Sequence, residues 1–85
     1  MTILRDALQQ TEHVLASSGI PDSRMEAEVL LMNVLQVPRH RIYAYQEQEV
    51  DPSQEEVVSC MLGRRLNREP LAYILRHKEF YGVDL

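Results

Sequence analysis

The chain has 85 residues, a formal net charge of −4 and one cysteine. An acidic balance argues against a general binder of nucleic acid or anionic membrane, which needs surplus Lys and Arg. Cys60, being alone, excludes an internal disulfide and a cysteine-rich zinc site.

This length suits one small domain with little stability to spare. Its 45% hydrophobic and 26% charged residues are the balance of an ordinary soluble globular domain. No apolar run approaches the ~20 residues of a membrane span, and the N-terminus lacks a basic-then-apolar signal peptide. A cytoplasmic origin is the default expectation.

In chain order, Thr2 is placed to cap a first helix running to about Ser18, with Gly19 as a left-handed stop. At 100° per residue Leu4, Leu8, Thr11 and Leu15 fall on one line, widened by Ala7 and Val14 into a core-facing stripe. Ile20-Pro21 breaks the chain. Ser23 with Glu26 three residues on fits a capping box, and Asp22 competes as the cap. A second helix, Arg24 to Gln36, presents Ala27, Leu30, Leu31 and Val34, with Glu28 at the stripe's edge.

Pro38 opens a short third helix, Arg39 to Tyr45, whose buried side is expected to hold Ile42, Tyr43 and Tyr45. Arg39-His40-Arg41 reads as a solvated face or as a partner contact. Gln46 to Val50 is polar and acidic, a loop. Asp51-Pro52-Ser53-Gln54 is a strong helix start, with a cap, a proline in the first turn and Gln at the capping-box position. This fourth helix should reach Asn67, with Glu55 and Glu56 at its positive end and Arg64 and Arg65 at its negative end.

Val58, Met61, Leu62 and Leu66 mark the core side of that helix, and Arg65 projects within the same arc. A buried guanidinium needs a carboxylate or a route to water, so Arg65 is expected either to snorkel or to pair with Glu26 or Glu28. Gly63 either permits close helix approach or is merely tolerated. Glu69-Pro70 restarts the chain as a fifth helix to about Leu75, with Leu71, Ile74 and Leu75 apolar. Glu79 to Leu85 has the aromatic and glycine content of a strand entering a turn. The fold class is therefore all-α, a bundle of four to five helices over residues 1–76, with residues 77–85 beginning a β-hairpin.

No catalytic set is legible. His13, His40 and His77 lie far apart without metal-ligand spacing, and Cys60 reads as a small buried or half-buried residue on the flank of the fourth helix. Gly19, Gly63 and Gly82 are isolated, so no glycine-rich cofactor loop exists. These residues suit binding or positioning, with no catalytic, cofactor or metal residue to name.

Glu26-Ala27-Glu28-Val29-Leu30-Leu31, then Arg64-Arg65, Arg68-Glu69-Pro70-Leu71-Ala72-Tyr73-Ile74 and Glu79-Phe80-Tyr81-Gly82, resemble the N-terminal domain of the HemK/PrmC family, the peptide-chain release factor glutamine methyltransferases. The likeness runs through essentially the whole chain. It implies a helical domain joined by a β-hairpin to a Rossmann-like methyltransferase domain that uses S-adenosylmethionine. That domain methylates the side-chain amide of the glutamine in the Gly-Gly-Gln loop of release factors. Neither its Asn-Pro-Pro-Tyr motif nor its glycine-rich loop occurs here, so the resemblance carries no catalytic or cofactor residue onto this chain. Many members have glycine where Arg76 stands, which leaves the exit from the fifth helix without its usual left-handed stop.

The resemblance implies docking of the release factor, for which Arg39, Arg41, Arg64 and Arg68 are the candidate contacts. A stand-alone helical adaptor and a purely structural scaffold for the catalytic domain are the alternatives. The strand beginning at Val83 speaks against the adaptor. Nothing points to direct nucleic-acid or membrane partners.

Overall fold

The computed structural model describes residues 2–76, the side chain of Arg76 excepted. Five helices follow one another: α1 (Leu4–Ser17), α2 (Ser23–Leu35), α3 (Arg39–Ala44), α4 (Pro52–Leu66) and α5 (Leu71–Arg76). Two short strands, β1 (Thr2–Ile3) and β2 (Glu49–Val50), pair antiparallel with Thr2 opposite Val50 and Ile3 opposite Glu49. The all-α bundle expected from the periodicity is the fold found. The strand expected over Glu79–Leu85 lies outside the described residues.

The β pairing corrects two expectations. Thr2 does not cap α1, and the segment before α4 is not wholly a loop. Helix α1 starts without a side-chain cap because its first N–H groups find carbonyls on the 46–48 segment. Leu4 N–H donates to Gln48 O at 2.8 Å and Arg5 N–H to Gln46 O at 2.9 Å. These satisfy donors that a first turn otherwise leaves orphaned, so no hydroxyl is needed.

The C-terminus of α1 follows its sequence. Gly19 takes φ +79°, with Gly19 N–H on Ala16 O and Ile20 N–H on Leu15 O, the two bonds of a Schellman motif. Helix α4 ends the same way with a different residue. Arg68 stands at φ +70°, while Arg68 N–H donates to Arg65 O and Glu69 N–H to Arg64 O. A non-glycine residue there costs on the order of 1 kcal/mol or more. Its guanidinium offsets this by donating to Ser18 O at 3.0 Å, at the C-terminal end of α1.

The capping box expected at Ser23 and Glu26 does not form. Asp22 precedes α2 in the left-handed region and makes no side-chain cap bond, and the Glu26 carboxylate is held by Arg65 instead. At α4 the box is present, with Asp51 N–H donating to Gln54 Oε1 at 3.0 Å.

Helix α2 is the axis of the bundle and packs on α1, α3, α4 and α5. Leu4, Leu8, Leu15, Leu30, Leu31, Ile42, Met61 and Ile74 are the large side chains that are fully buried, so every helix sends at least one into the core. The stripes read from periodicity on α1 and α2 are buried, Thr11 included, its hydroxyl donating to Ala7 O at 2.8 Å, except that Val14 at the α1 stripe's margin is only half-buried. On α4 Val58 and Met61 are buried and Leu62 and Leu66 pack against the core's edge. Gly63 meets no atom within 4 Å of where a Cβ would stand, so it is tolerated and mediates no close approach.

Candidate protein interaction surface

Two carboxylates on α2 organise the polar contacts of the domain. Glu26 and Glu28 are two residues apart, so they point about 200° apart around the helix axis. Both are nevertheless buried, because α2 is covered on both sides.

On one side Glu26 receives Arg65 of α4. Arg65 Nε donates to Glu26 Oε1 at 2.8 Å, its second terminal nitrogen reaches Oε2 at 3.3 Å, and the third donates to Glu69 O at 3.2 Å. The fork-on-carboxylate geometry fixes orientation as well as distance. The hydrogen bond to Glu26 raises the Arg65 guanidinium above its ordinary pKa, against a smaller opposing effect of burial. Glu28, the other carboxylate considered for Arg65, faces elsewhere. Arg64 beside it pairs with Glu69 at 3.0 Å and lies over the Tyr73 ring.

On the other side Glu28 holds α3. Arg24 Nε donates to Oε2 at 3.0 Å, Arg39 Nε to Oε1 at 2.9 Å, and the Tyr43 hydroxyl also donates to Oε2. Arg24 reaches on to Glu12 of α1 at 3.2 Å, so one cluster ties three helices together. Burial pushes the Glu28 carboxyl up, but the hydrogen bonds from Tyr43, Arg24 and Arg39 outweigh it and hold the group below the usual carboxylate range. Glu28, expected at the edge of the apolar stripe, is fully inside. Sequence pattern hides that burial because two of its partners, Arg39 and Tyr43, come from the next helix, α3, and not from α2 itself.

Helix α3 departs from expectation in its aromatics. Ile42 is fully buried, yet Tyr43 is 48% exposed and Tyr45 50%. A six-residue helix has room for one residue facing straight inward, and 100° spacing puts Tyr43 and Tyr45 on opposite flanks of Ile42. The same spacing makes two ridges of (i, i+4) neighbours. Arg39 and Tyr43 form the ridge that grips Glu28. Arg41 and Tyr45 form the outward ridge, the Arg41 guanidinium standing over the Tyr45 ring at 4.7 Å. The four-residue spacing of each Arg–Tyr pair is the sequence signal for these ridges.

Below this outward ridge lies an open groove of about 550 Å³ lined by Arg5, Tyr43, Ala44, Tyr45, Gln46, Glu47 and Gln48. Its rim carries a loose pair, Arg5 to Glu47 at 3.9 Å.

The four arginines named from the sequence therefore do not form one patch. Arg39 and Arg41 lie on α3, on one side of α2. Arg64 and Arg68 lie at the end of α4 beyond the other side, where Arg64 pairs with Glu69 and Arg68 caps α1. Arg41 makes no ion pair among the described residues.

Cys60 is exposed, which corrects the expectation of a buried or half-buried thiol. It sits on the outer side of α4, one residue before the buried Met61. His13 and His40 are exposed as well, and no group of three His, Cys, Asp or Glu among the described residues is arranged to hold a metal ion. No described helix is long and apolar enough to cross a membrane.

A family model described as the PrmC N-terminal domain matches residues 6–75. The release factor glutamine methyltransferase of Coxiella burnetii is 44% identical over 62 residues, which are 73% of this chain and 22% of that protein. The Geobacter sulfurreducens protein of the same name is 37% identical over 83 residues, covering 95% of this chain and 28% of its own length. A bifunctional methyltransferase of Rickettsia bellii is 36% identical over 77 residues, 91% of this chain and 14% of the relative. The chain thus spans between 14% and 28% of the length of these curated relatives. No solved structure matches it. With the model covering nearly all of the described helices, the chain belongs to the PrmC N-terminal domain family.

Proposed function

We propose that this chain is the release-factor-docking domain of an S-adenosylmethionine-dependent protein-glutamine methyltransferase. On this reading residues 1–76 form the docking domain and residues 77–85 begin the linker hairpin. The catalytic domain, which holds S-adenosylmethionine and methylates the Gly-Gly-Gln glutamine, lies outside these 85 residues, and the helical domain itself is not catalytic. The protein works in the cytoplasm, where release factors act.

The observation that carries this reading is the pairing of coverage values. Nearly the whole chain aligns with a protein named release factor glutamine methyltransferase, while using 28% of that protein's length. Such a domain contributes by recognition. Arg39, Arg41, Arg64 and Arg68 are the proposed contacts from charge; because Arg39, Arg64 and Arg68 also serve the domain's own atoms, Arg41 is the one whose donors are most open to a partner.

Isothermal titration calorimetry of this chain with an intact release factor tests the proposal. Saturable one-to-one binding is expected. Absence of heat, together with no change in the chain's NMR spectrum at a several-fold excess of release factor, refutes it.

A further inference from the structure

Resting on the docking reading above, we propose that the contact is made by the outward ridge of α3 and the groove beneath it, with Arg41 and Tyr45 as anchors, and that it takes an acidic segment of the release factor.

Charge distribution sets the sign of the partner. The chain is net acidic at −4, yet no Asp or Glu occurs from Val29 to Gln46, a stretch that carries Arg39, His40 and Arg41. The other basic stretch, around Arg64, Arg65 and Arg68, is consumed internally by Glu69, Glu26 and Ser18 O. Within α3, Arg39 is committed to Glu28. Among the described residues, Arg41 is left with only an aromatic ring beneath it. A guanidinium stacked on a ring keeps its in-plane N–H fork open for a carboxylate, so the Tyr45 ring orients the donor without competing for it.

Side-chain chemistry sets the kind of contact. Tyr and Arg are the side chains that most often anchor protein interfaces, since each offers a large apolar surface with a polar end. Here two half-exposed tyrosines line one groove, whose own charged residues, Arg5 and Glu47, face each other as a loose pair, while Arg41 stands over the Tyr45 ring. The ridge is also held still. Ile42 is fully buried beneath it, and Arg39 and Tyr43 clamp the same short helix to the Glu28 carboxylate. A partner meeting this surface orders little, which lowers the entropic cost of binding. The fitting segment presents Asp or Glu to Arg41 and an apolar or aromatic side chain to the groove between Tyr43 and Tyr45.

The test is titration of the intact release factor into the wild-type chain and into Arg41→Glu, Arg41→Lys and Tyr45→Ala. Circular dichroism melts check that each variant keeps the wild-type fold, which surface positions are expected to do. The expected result is a loss of about tenfold or more in affinity for Arg41→Glu and Tyr45→Ala. Arg41→Lys should lose less than Arg41→Glu. Wild-type binding with all three variants within about twofold of it overturns the assignment of this surface while leaving the docking reading intact. No wild-type binding overturns both. Variant chains that bind the release factor normally but lose affinity for a short RNA would show a nucleic-acid surface and overturn the acidic-segment assignment.

Discussion

Removing the Arg65 side chain should expose how much of the bundle depends on one ion pair. Arg65→Met keeps the apolar stem and deletes three charged N–H contacts, two to Glu26 and one to Glu69 O. The Glu26 side chain, 10% exposed, is left without its counter-charge. Stranding one member of a buried pair costs ~3–5 kcal/mol. Arg65 is 18% exposed, so water can reach part of the vacated site, and the cost should fall to about 2–3 kcal/mol. A domain of this length holds roughly 4–13 kcal/mol in all. The melting temperature should therefore drop by roughly 8–24 °C. The pair itself is isolated by a double-mutant cycle with Glu26→Met, read by urea unfolding under circular dichroism. The double variant, with both charges gone, should recover to within about 1 kcal/mol of wild type, since an apolar replacement removes the desolvation cost together with the attraction. A single Arg65→Met loss below about 0.5 kcal/mol, or strictly additive effects in the cycle, would mean that the Arg65–Glu26 pair does not hold the bundle.

Three further perturbations follow from the same geometry. Because the folded-state Glu28 carboxyl lies below its ordinary range, its contribution is present above the unfolded-state pKa and is lost as pH falls through the folded-state value. Glu28→Gln should thus be less stable than wild type at pH 7, with the gap narrowing below pH ~4, and urea midpoints at both pH values check this. A gap that stays constant with pH would mean that the charge of Glu28 is not what matters. Gly63→Ala should stabilise α4 by up to ~1 kcal/mol, because it removes a flexible residue from a helix interior where a methyl group meets nothing; a lower melting temperature would contradict the open space found there. Cys60 should react with Ellman's reagent in the native chain without denaturant, as an exposed thiol does, and silence until unfolding would contradict its placement.

Local features of the fold are legible in the amino-acid sequence. The α1 and α2 stripes, the Gly19 stop and the Asp51 capping box each have their whole physical cause within a few neighbouring residues. What the sequence hides depends on segments distant along the chain. Thr2 looks like a cap until the 46–48 segment supplies carbonyls to the first turn of α1. Glu26 looks like half of a capping box until Arg65 arrives from α4. Arg68 has no sequence mark of a left-handed residue, and its conformation is secured by Ser18 O, far earlier in the chain.

The candidate surface is partly legible too. Arg39 and Arg41 stand out by charge, but charge alone does not separate the arginine that grips Glu28 from the one that stacks on Tyr45. Helical spacing divides them, since each has a tyrosine four residues on. The burial of Glu28, on which the rigidity of α3 depends, follows only from the packing of α2 between its neighbours.

Docking as the role of this domain is tested most directly by methyl transfer. On the proposed function, a complete methyltransferase that carries this chain, and the same enzyme lacking residues 1–76, should be compared on an intact release factor and on a short Gly-Gly-Gln peptide. The truncated enzyme is expected to lose kcat/KM on the intact release factor, chiefly through KM, while its rate on the peptide is unchanged. Equal losses on both substrates, with a lowered melting temperature of the remaining enzyme, would assign the domain to scaffolding and contradict docking.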